Sequence, residues 1–337
     1  MTLPISHDTA PMEAKSVDAL PTAAGWQFEP KWDGFRCLAF RDGDEVELRA
    51  KSGKPLHRYF PEVVEALKAL PDRRFVIDGE LAIPIDGRLS FDALQLRLHP
   101  AESRIRKLAG ETPAILILFD MLLTPEGAAL GDKPLTERRA VLEAFFKANS
   151  SPTLKLTPLT RDVAEAKRWL NQTGGALDGV IAKRLDGPYV SGERAMLKVK
   201  CLRTADCVVG GFRYASKARL VGSLLLGLYN ERGLLDQVGF TTITDAERAA
   251  ITSKVEALAG GEGFTGNAPG GPSRWSTERS TEWTPLRPEL VVEVRYDHVT
   301  GGRFRHGTKL MRWRPDKAPR QCTFEQIEPA APVELFG

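Results

Sequence analysis

The stretch Phe28–Arg36, FEPKWDGFR, decides how the rest of the chain is read. Lys31 follows Pro30 on a constrained backbone and precedes Asp33-Gly34, where the glycine permits a turn or the close approach of a ligand. In an extended stretch Lys31 and Asp33 point to the same side. A lysine in a loop is ordinarily a solvated charge. To act as a nucleophile it must lose its proton, and with an ordinary pKa near 10.4 only about one in a thousand is neutral at pH 7, a cost of about 4 kcal/mol. Nearby cations or a metal ion lower that pKa, so a nucleophilic Lys31 calls for further cations and carboxylates elsewhere in the chain.

Working outward, the chain supplies them. In FVIDGELAIP, Phe75–Pro84, period-two alternation puts Asp78, Glu80 and Ala82 on one face and Ile77, Leu81 and Ile83 on the other. A carboxylate inside such an apolar run is either solvent-facing or paired, metal-bound or held by a ligand. LDGVIAKR, Leu177–Arg184, sets Asp178 before a glycine, as a turn residue or a metal ligand, and Lys183 near the end of the run. MLKVK, Met196–Lys200, alternates Lys198 and Lys200 against Leu197 and Val199; two cations on one strand face protect a sheet edge or share an anion such as phosphate. Phe119 lies in AILILFDML, Ala114–Leu122, as plain core or as a platform for a purine ring. RWRPDK, Arg312–Lys317, gathers Arg314, Asp316 and Lys317 around a proline turn, a pattern suited to a pyrophosphate.

With 337 residues the chain is expected to form one large or two moderate domains. Apolar runs alternate with helical patterns, at 61–70, 136–148 and 163–172, as far as about residue 200. From Ala205 a meander of short strands follows, with one helical pattern at 245–259 and a Gly-rich loop at 260–273. The expected boundary lies between residues 1–202 and 203–337; five or so strands and one helix suit a small barrel of the OB type. The N-terminus lacks a basic start and an apolar run, no segment has the length of a membrane span, and the four cysteines show no CxxC spacing. A cytoplasmic protein without structural zinc or a disulfide framework is expected. The net charge of +3 names no partner. Arg295–Arg320, however, carries eight basic residues against Asp297 and Asp316, a local field for phosphates.

Taken in order, KWDGFR, DGELAIP, LFDML, DGVIAKR, MLKVK and RPDK resemble the covalent nucleotidyltransferase superfamily, and most closely the minimal two-domain ATP-dependent DNA ligases of bacteria, including the ligase type C branch. The resemblance spans roughly residues 11–327. It implies an α+β fold: a nucleotidyltransferase (ATP-grasp-like) domain followed by an OB-fold β-barrel domain. It also implies a three-step reaction, in which Lys31 attacks the α-phosphate of ATP, AMP passes to the 5′-phosphate of a nick, and the 3′-hydroxyl displaces AMP.

Carried over residue by residue, the resemblance makes Lys31, Asp33, Lys198 and Lys200 catalytic. Glu29, Arg36, Glu80, Phe119, Lys183, Arg314 and Lys317 join Lys31, Lys198 and Lys200 around the nucleotide, with Phe119 on the purine and RPDK on the pyrophosphate. Glu80 and Asp178 match metal-binding positions for Mg²⁺, with Mn²⁺ as a substitute. Lys51, in LRAKSGKPL, stands where many ligases have an arginine on the nick phosphate, and a lysine lacks the bidentate fork. Asp178 replaces the glutamate of many relatives. The implied partner is nicked duplex DNA, bound by basic faces and weakened by salt; no membrane is expected, repair proteins are unspecified, and a monomer is the default. A capping guanylyltransferase or RNA ligase shares K-x-D-G and the paired lysines, and a non-catalytic OB-type nucleic-acid-binding protein is the alternative from another class.

Overall fold

The computed structural model describes residues 2–171, 177–215, 219–270 and 282–328. The chain divides into two compact units at Cys201/Leu202.

The first unit is built on two sheets. Strands β1 (Ala14–Ser16), β2 (Trp26–Trp32), β3 (Phe35–Asp42), β4 (Glu45–Ala50), β5 (Arg74–Ala82), β6 (Ile115–Leu123), β7 (Leu154–Leu156), β8 (Leu177–Arg184) and β9 (Met196–Lys200) alternate with helices α1 (Pro61–Lys68), α2 (Phe91–Arg97), α3 (Glu102–Glu111), α4 (Leu135–Ala148) and α5 (Val163–Asn171). One sheet has the order β4-β3-β5-β6-β7 and the other β1-β9-β8-β2. The chain therefore changes sheets between β2 and β3, at Asp33-Gly34.

Apolar alternation explains what each sheet buries. Ile77 and Leu81 of β5, Cys37 and Ala39 of β3 and Leu116 and Leu118 of β6 pack under Val63 and Leu67 of α1 and Leu142 and Phe145 of α4. Pro61 opens α1 with the φ a first turn needs and no N–H to satisfy. Phe28 and Trp32 of β2 and Val180 and Ala182 of β8 pack with Ala166 and Trp169 of α5. The helical patterns at 61–70 and 136–148 fold as α1 and α4; the third forms α5, and Gln172 lies outside the described residues. Helices α2 and α3 are additions to the expected set, although Ile105, Leu108 and Ala109 of α3 recur at three and four. The first is a short helix opened by Ser90, whose hydroxyl accepts from the Ala93 amide.

The second unit closes on itself. Strands β10 (Arg203–Tyr214), β11 (Val221–Tyr229), β12 (Leu235–Thr242), β13 (Val291–Tyr296) and β14 (Thr308–Trp313) pair as β10-β11-β12-β14-β13 and back to β10. The twelve-residue β10 makes closure possible: its first half pairs with β13, its second with β11, and the ladder shifts register at Val209/Gly211. Helix α6 (Arg248–Glu256) falls between β12 and β13 and sends Ile251 and Val255 into the core, alongside Val208, Leu226 and Val292. This is the five-stranded OB barrel with its one helix. The Gly-rich segment carries no helix or strand as far as Gly270, and residues 271–273 lie outside the described ones, as do residues 329–337.

Candidate active site

The change of sheets at Asp33-Gly34 creates the site. Between the sheets of the first unit lies a cavity of about 220 Å³. Glu29, Lys31, Ile181, Lys183, Met196 and Lys198 line it from one sheet; Arg36, Glu80 and Phe119 line it from the other, with Lys51 just beyond β4.

Two glycines let the backbone come this close. A Cβ on Gly34 would stand 2.2 Å from the Leu81 carbonyl oxygen and 2.8 Å from Glu80 Cγ, so the glycine serves contact with β5. Gly179 has φ +149°, and a Cβ there would meet the Val199 carbonyl oxygen at 2.1 Å. It sits at a register shift in the pairing of β8 with β2, opposite both Lys31 and Lys200.

Lys31, near the end of β2, donates from Nζ to Asp178 Oδ2 at 2.5 Å, across 147 residues of sequence. Its neighbour Trp32 turns into the core, where the indole N–H donates to Thr157 Oγ1 at 3.0 Å. Burial, then the charges of Lys31, Lys200 and Lys51, hold the Lys198 ammonium below the ordinary lysine range. Burial pushes the Glu80 carboxyl up to about 7, against the pull of Lys31 and Arg36. Glu29 is buried with both oxygens engaged: Gln27 Nε2 donates at 2.8 Å, and Lys183 Nζ lies at 2.8 Å. Lys183 also donates to the Phe119 carbonyl oxygen at 3.0 Å and stands 5.0 Å from the centre of its ring. The Arg36 guanidinium lies 4.6 Å from the same ring centre.

Several residues that sequence reasoning passed over complete the cavity. Pro11–Ala14 form one wall. The Glu13 amide donates to the Glu193 carbonyl oxygen at 2.7 Å, and its carboxylate meets Lys51 at 3.0 Å, which lowers its pKa. Asp78, fully buried, receives Arg36 bidentately at 2.5 and 2.6 Å and the Tyr189 hydroxyl at 2.6 Å. Alternation in FVIDGELAIP had put Asp78 on the Glu80 face; nothing local marked Pro11–Ala14 or Tyr189.

Not every expected residue reaches the cavity. Asp33 lies past the end of β2 and does not line it, although its charge helps raise the Glu80 carboxyl. Lys200 stands opposite Gly179, one turn of the alternation beyond Lys198, and does not line it either. Asp178 reaches the site through Lys31.

Arg314 and Lys317 belong to the second unit. Arg314 donates from Nη1 to Asp206 at 2.8 and 3.1 Å and from Nη2 to Asp316 at 2.8 Å, while Lys317 Nζ is 3.6 Å from Asp206. Arg314 holds the Asp316 carboxyl down at about 2. Arg312 pairs with Glu293 at 2.6 Å, so Asp206 and Glu293 offset part of the basic segment.

The donor set suits a hard divalent cation that keeps most of its positions for water and phosphate oxygens. Glu80, which lines the cavity, and Asp178, which is held on Lys31, are the candidate carboxylates for it, and no cluster of three His, Cys, Asp or Glu side chains occurs among the described residues. Glu80 lines the cavity and is half-buried, so a cation held there keeps access to water and phosphate oxygens.

Comparison with known proteins gives a consistent result. The family model described as ATP dependent DNA ligase domain matches residues 11–200, and that described as ATP dependent DNA ligase C terminal region matches residues 217–317. DNA ligase C2 of Mycolicibacterium smegmatis is 48% identical, over 97% of this chain and 96% of its own. DNA ligase C of Mycobacterium tuberculosis is 45% identical, over 99% and 98%. A solved structure from work on Lig E DNA ligases superposes with a TM-score of 0.56 at 18% identity, covering 90% of this chain and 100% of that one, a likeness of fold alone.

Proposed function

The chain belongs to the ATP-dependent DNA ligase family, and from that premise we propose the roles its own residues take in the reaction. It is an enzyme that seals 3′-hydroxyl/5′-phosphate nicks in duplex DNA through a lysyl-AMP intermediate, using ATP and a divalent metal; repair is the typical setting of the family. The observation that carries the assignment of roles is the ion pair of Lys31 with Asp178 at the wall of a cavity lined by Glu29, Glu80, Phe119, Lys183 and Lys198.

In the first step Lys31 Nζ forms a bond to the α-phosphorus as the bond to the bridging oxygen of the β-phosphate breaks and pyrophosphate leaves. The ammonium proton leaves to solvent before attack, and Asp178 Oδ2, within hydrogen-bond reach, orients the amine. Lys198, poised below the usual lysine range, attracts the α-phosphate and offsets charge as it develops, with Lys200 adding to the field from behind. Phe119 offers its ring to the purine, Arg36 faces the ribose, and Glu29 and Lys183 define the edge beside the base. Asp33 acts through its charge at Glu80. Glu80 and Asp178 would hold Mg²⁺ or Mn²⁺, which when bound neutralises phosphate charge. Arg314 and Lys317 are assigned to the pyrophosphate and Lys51 to the nick phosphate, where Glu13 is the anion to be displaced.

No helix among the described residues is long and apolar enough to cross a membrane. A cytoplasmic monomer is the working arrangement.

The deciding experiment incubates the protein and Lys31→Ala with Mg²⁺ and α-labelled ATP or GTP, and follows acid-stable label on the chain. Label from ATP, absent in Lys31→Ala, is expected. Label that survives in the variant, or comes only from GTP, overturns the assignment.

A further inference from the structure

The Tyr189 hydroxyl stands at a junction that the reaction scheme leaves unused. It donates to Asp78 Oδ2 at 2.6 Å and accepts from the Met12 amide at 3.0 Å. Asp78 in turn holds Arg36 bidentately, and Arg36 Nη2 donates to the Met12 carbonyl oxygen at 3.1 Å. The four residues thus form a closed ring: Tyr189 to Asp78, Asp78 to Arg36, Arg36 to Met12, and Met12 back to Tyr189.

Every member is shielded from water to some degree. Asp78 is 0% exposed, Met12 4% and Tyr189 8%, so each hydrogen bond acts in a low dielectric and each broken one leaves a partner that water cannot readily serve. Tyr189 comes from the connection between β8 and β9, Met12 from the segment before β1, and Asp78 and Arg36 from the facing strands β5 and β3. β3 and β5 are paired strands, and the Met12 and Tyr189 segments meet through Glu13–Glu193 and Val190–Met12 contacts; the ring ties these two pairs to each other. Two of its corners face the cavity: Arg36, with its guanidinium 4.6 Å from the Phe119 ring centre, and Met12 in the wall. Burial holds the Tyr189 phenol well above the ordinary tyrosine range, so it stays a donor.

We propose that Tyr189 is a positioning residue for nucleotide binding, fixing through Asp78 the orientation of Arg36 against Phe119. The proposal deepens the reading of Arg36 and Phe119 as nucleotide contacts and rests on it. A fixed guanidinium meets the ribose side of the nucleotide without first losing rotamer freedom. The consequence is a contribution to binding that is the same in ground state and transition state, which appears in KM and not in kcat.

The test is a double-mutant cycle on the full chain, measuring single-turnover lysyl-AMP formation against ATP concentration, at a temperature where circular dichroism shows every variant folded. Tyr189→Phe is expected to raise the KM for ATP about tenfold, the low end of what outer partners of ligand-holding groups contribute, with kcat within about threefold. Arg36→Gln is expected to raise KM at least as much, and the double variant no further than Arg36→Gln alone, because Tyr189 acts through Arg36. Asp78→Asn, which keeps the shape and removes the intervening charge, gives a second route: it must also raise KM and add nothing to Arg36→Gln. Effects of Tyr189→Phe and Arg36→Gln that multiply, a fall in kcat at constant KM, or an unchanged KM in Tyr189→Phe each overturn the proposal while leaving Arg36 a nucleotide contact. An unchanged KM in Arg36→Gln overturns the underlying assignment as well.

Discussion

Gly34→Ala is the sharpest perturbation the structure offers, because it separates two explanations of the glycine in KWDGFR. If Gly34 served a left-handed turn, an alanine would meet backbone strain. Gly34 is not among the glycines with positive φ. What an alanine meets is the neighbouring strand: its Cβ would lie 2.2 Å from the Leu81 carbonyl oxygen, and ordinary contact begins at 3.4 Å, so β3 and β5 must part by about 1.2 Å at this point. The obstacle is backbone and cannot rotate away. Overpacking of this kind costs about 1–3 kcal/mol, and loosening the adjacent pairing of Phe35 with Leu81 adds about 1 kcal/mol. The same displacement moves Glu80 relative to Lys31, and a misplacement of about 1 Å can cost about 100-fold in rate. Urea unfolding should therefore show a loss of about 2–4 kcal/mol, with lysyl-AMP formation slowed on the order of 100-fold at saturating ATP. Gly110→Ala, in α3 with nothing within 4 Å of the new methyl, is the control and should be neutral or stabilising by up to about 1 kcal/mol. If Gly34→Ala matches the parent in stability and rate, close strand approach is not what the glycine provides.

Two further outcomes follow from the buried groups. The Glu80 carboxyl has a folded pKa of about 7 against 4.5 unfolded, so between those values the folded chain holds a proton the unfolded chain has lost, and this group's contribution to stability falls as pH rises from about 4.5 to 7. In EDTA without nucleotide, Glu80→Gln should flatten that slope; identical slopes in parent and variant contradict the shift. Burial raises the thiols of Cys37, Cys207 and Cys322, the last to about 11, whereas Cys201 is half-buried. A short iodoacetamide pulse should label Cys201 in the folded protein and the other three only after denaturation, and labelling of Cys37 as fast as Cys201 would show that the core of the first unit opens readily.

Local signals made the fold and the heart of the site readable. The alternating run MLKVK and continuous apolar runs such as RCLAF, buried on both faces, are strands because their apolar faces must leave water, and their order was enough to expect an α+β unit and a barrel. Glu80, Lys183 and Lys198, which line the cavity, stand in or beside apolar runs where a charge is conspicuous, whereas Lys31 is marked by K-x-D-G and Phe119 reads equally as core. Other features had no local mark. The partner of Lys31 is Asp178, 147 residues away, and a pairing at that distance leaves no trace in either neighbourhood. Tyr189 sits in a turn-rich stretch, GPYVSGER, where an aromatic looks incidental until Asp78 and Met12 are beside it. Gly34 reads as a turn or a point of ligand approach, and its contact with β5 is hidden because the obstructing oxygen belongs to Leu81 on another strand. Lys200 followed Lys198 by alternation alone, and alternation cannot tell how far a cavity extends along a strand.

The pairing of β1 with β9 has a consequence for synthesis. Among the described residues Ala14–Ser16 pair only with the strand Met196–Lys200, and the cavity wall at Glu13 is fixed by Glu193 and Met196 from the same late stretch. At roughly 5–20 residues per second, the first strand waits some 10–40 seconds for its neighbour to be made. During that interval Lys31 has no Asp178 and the nucleotide has no complete pocket. The walls of the cavity thus come from both ends of the first unit and can meet only once Met196–Lys200 has been made.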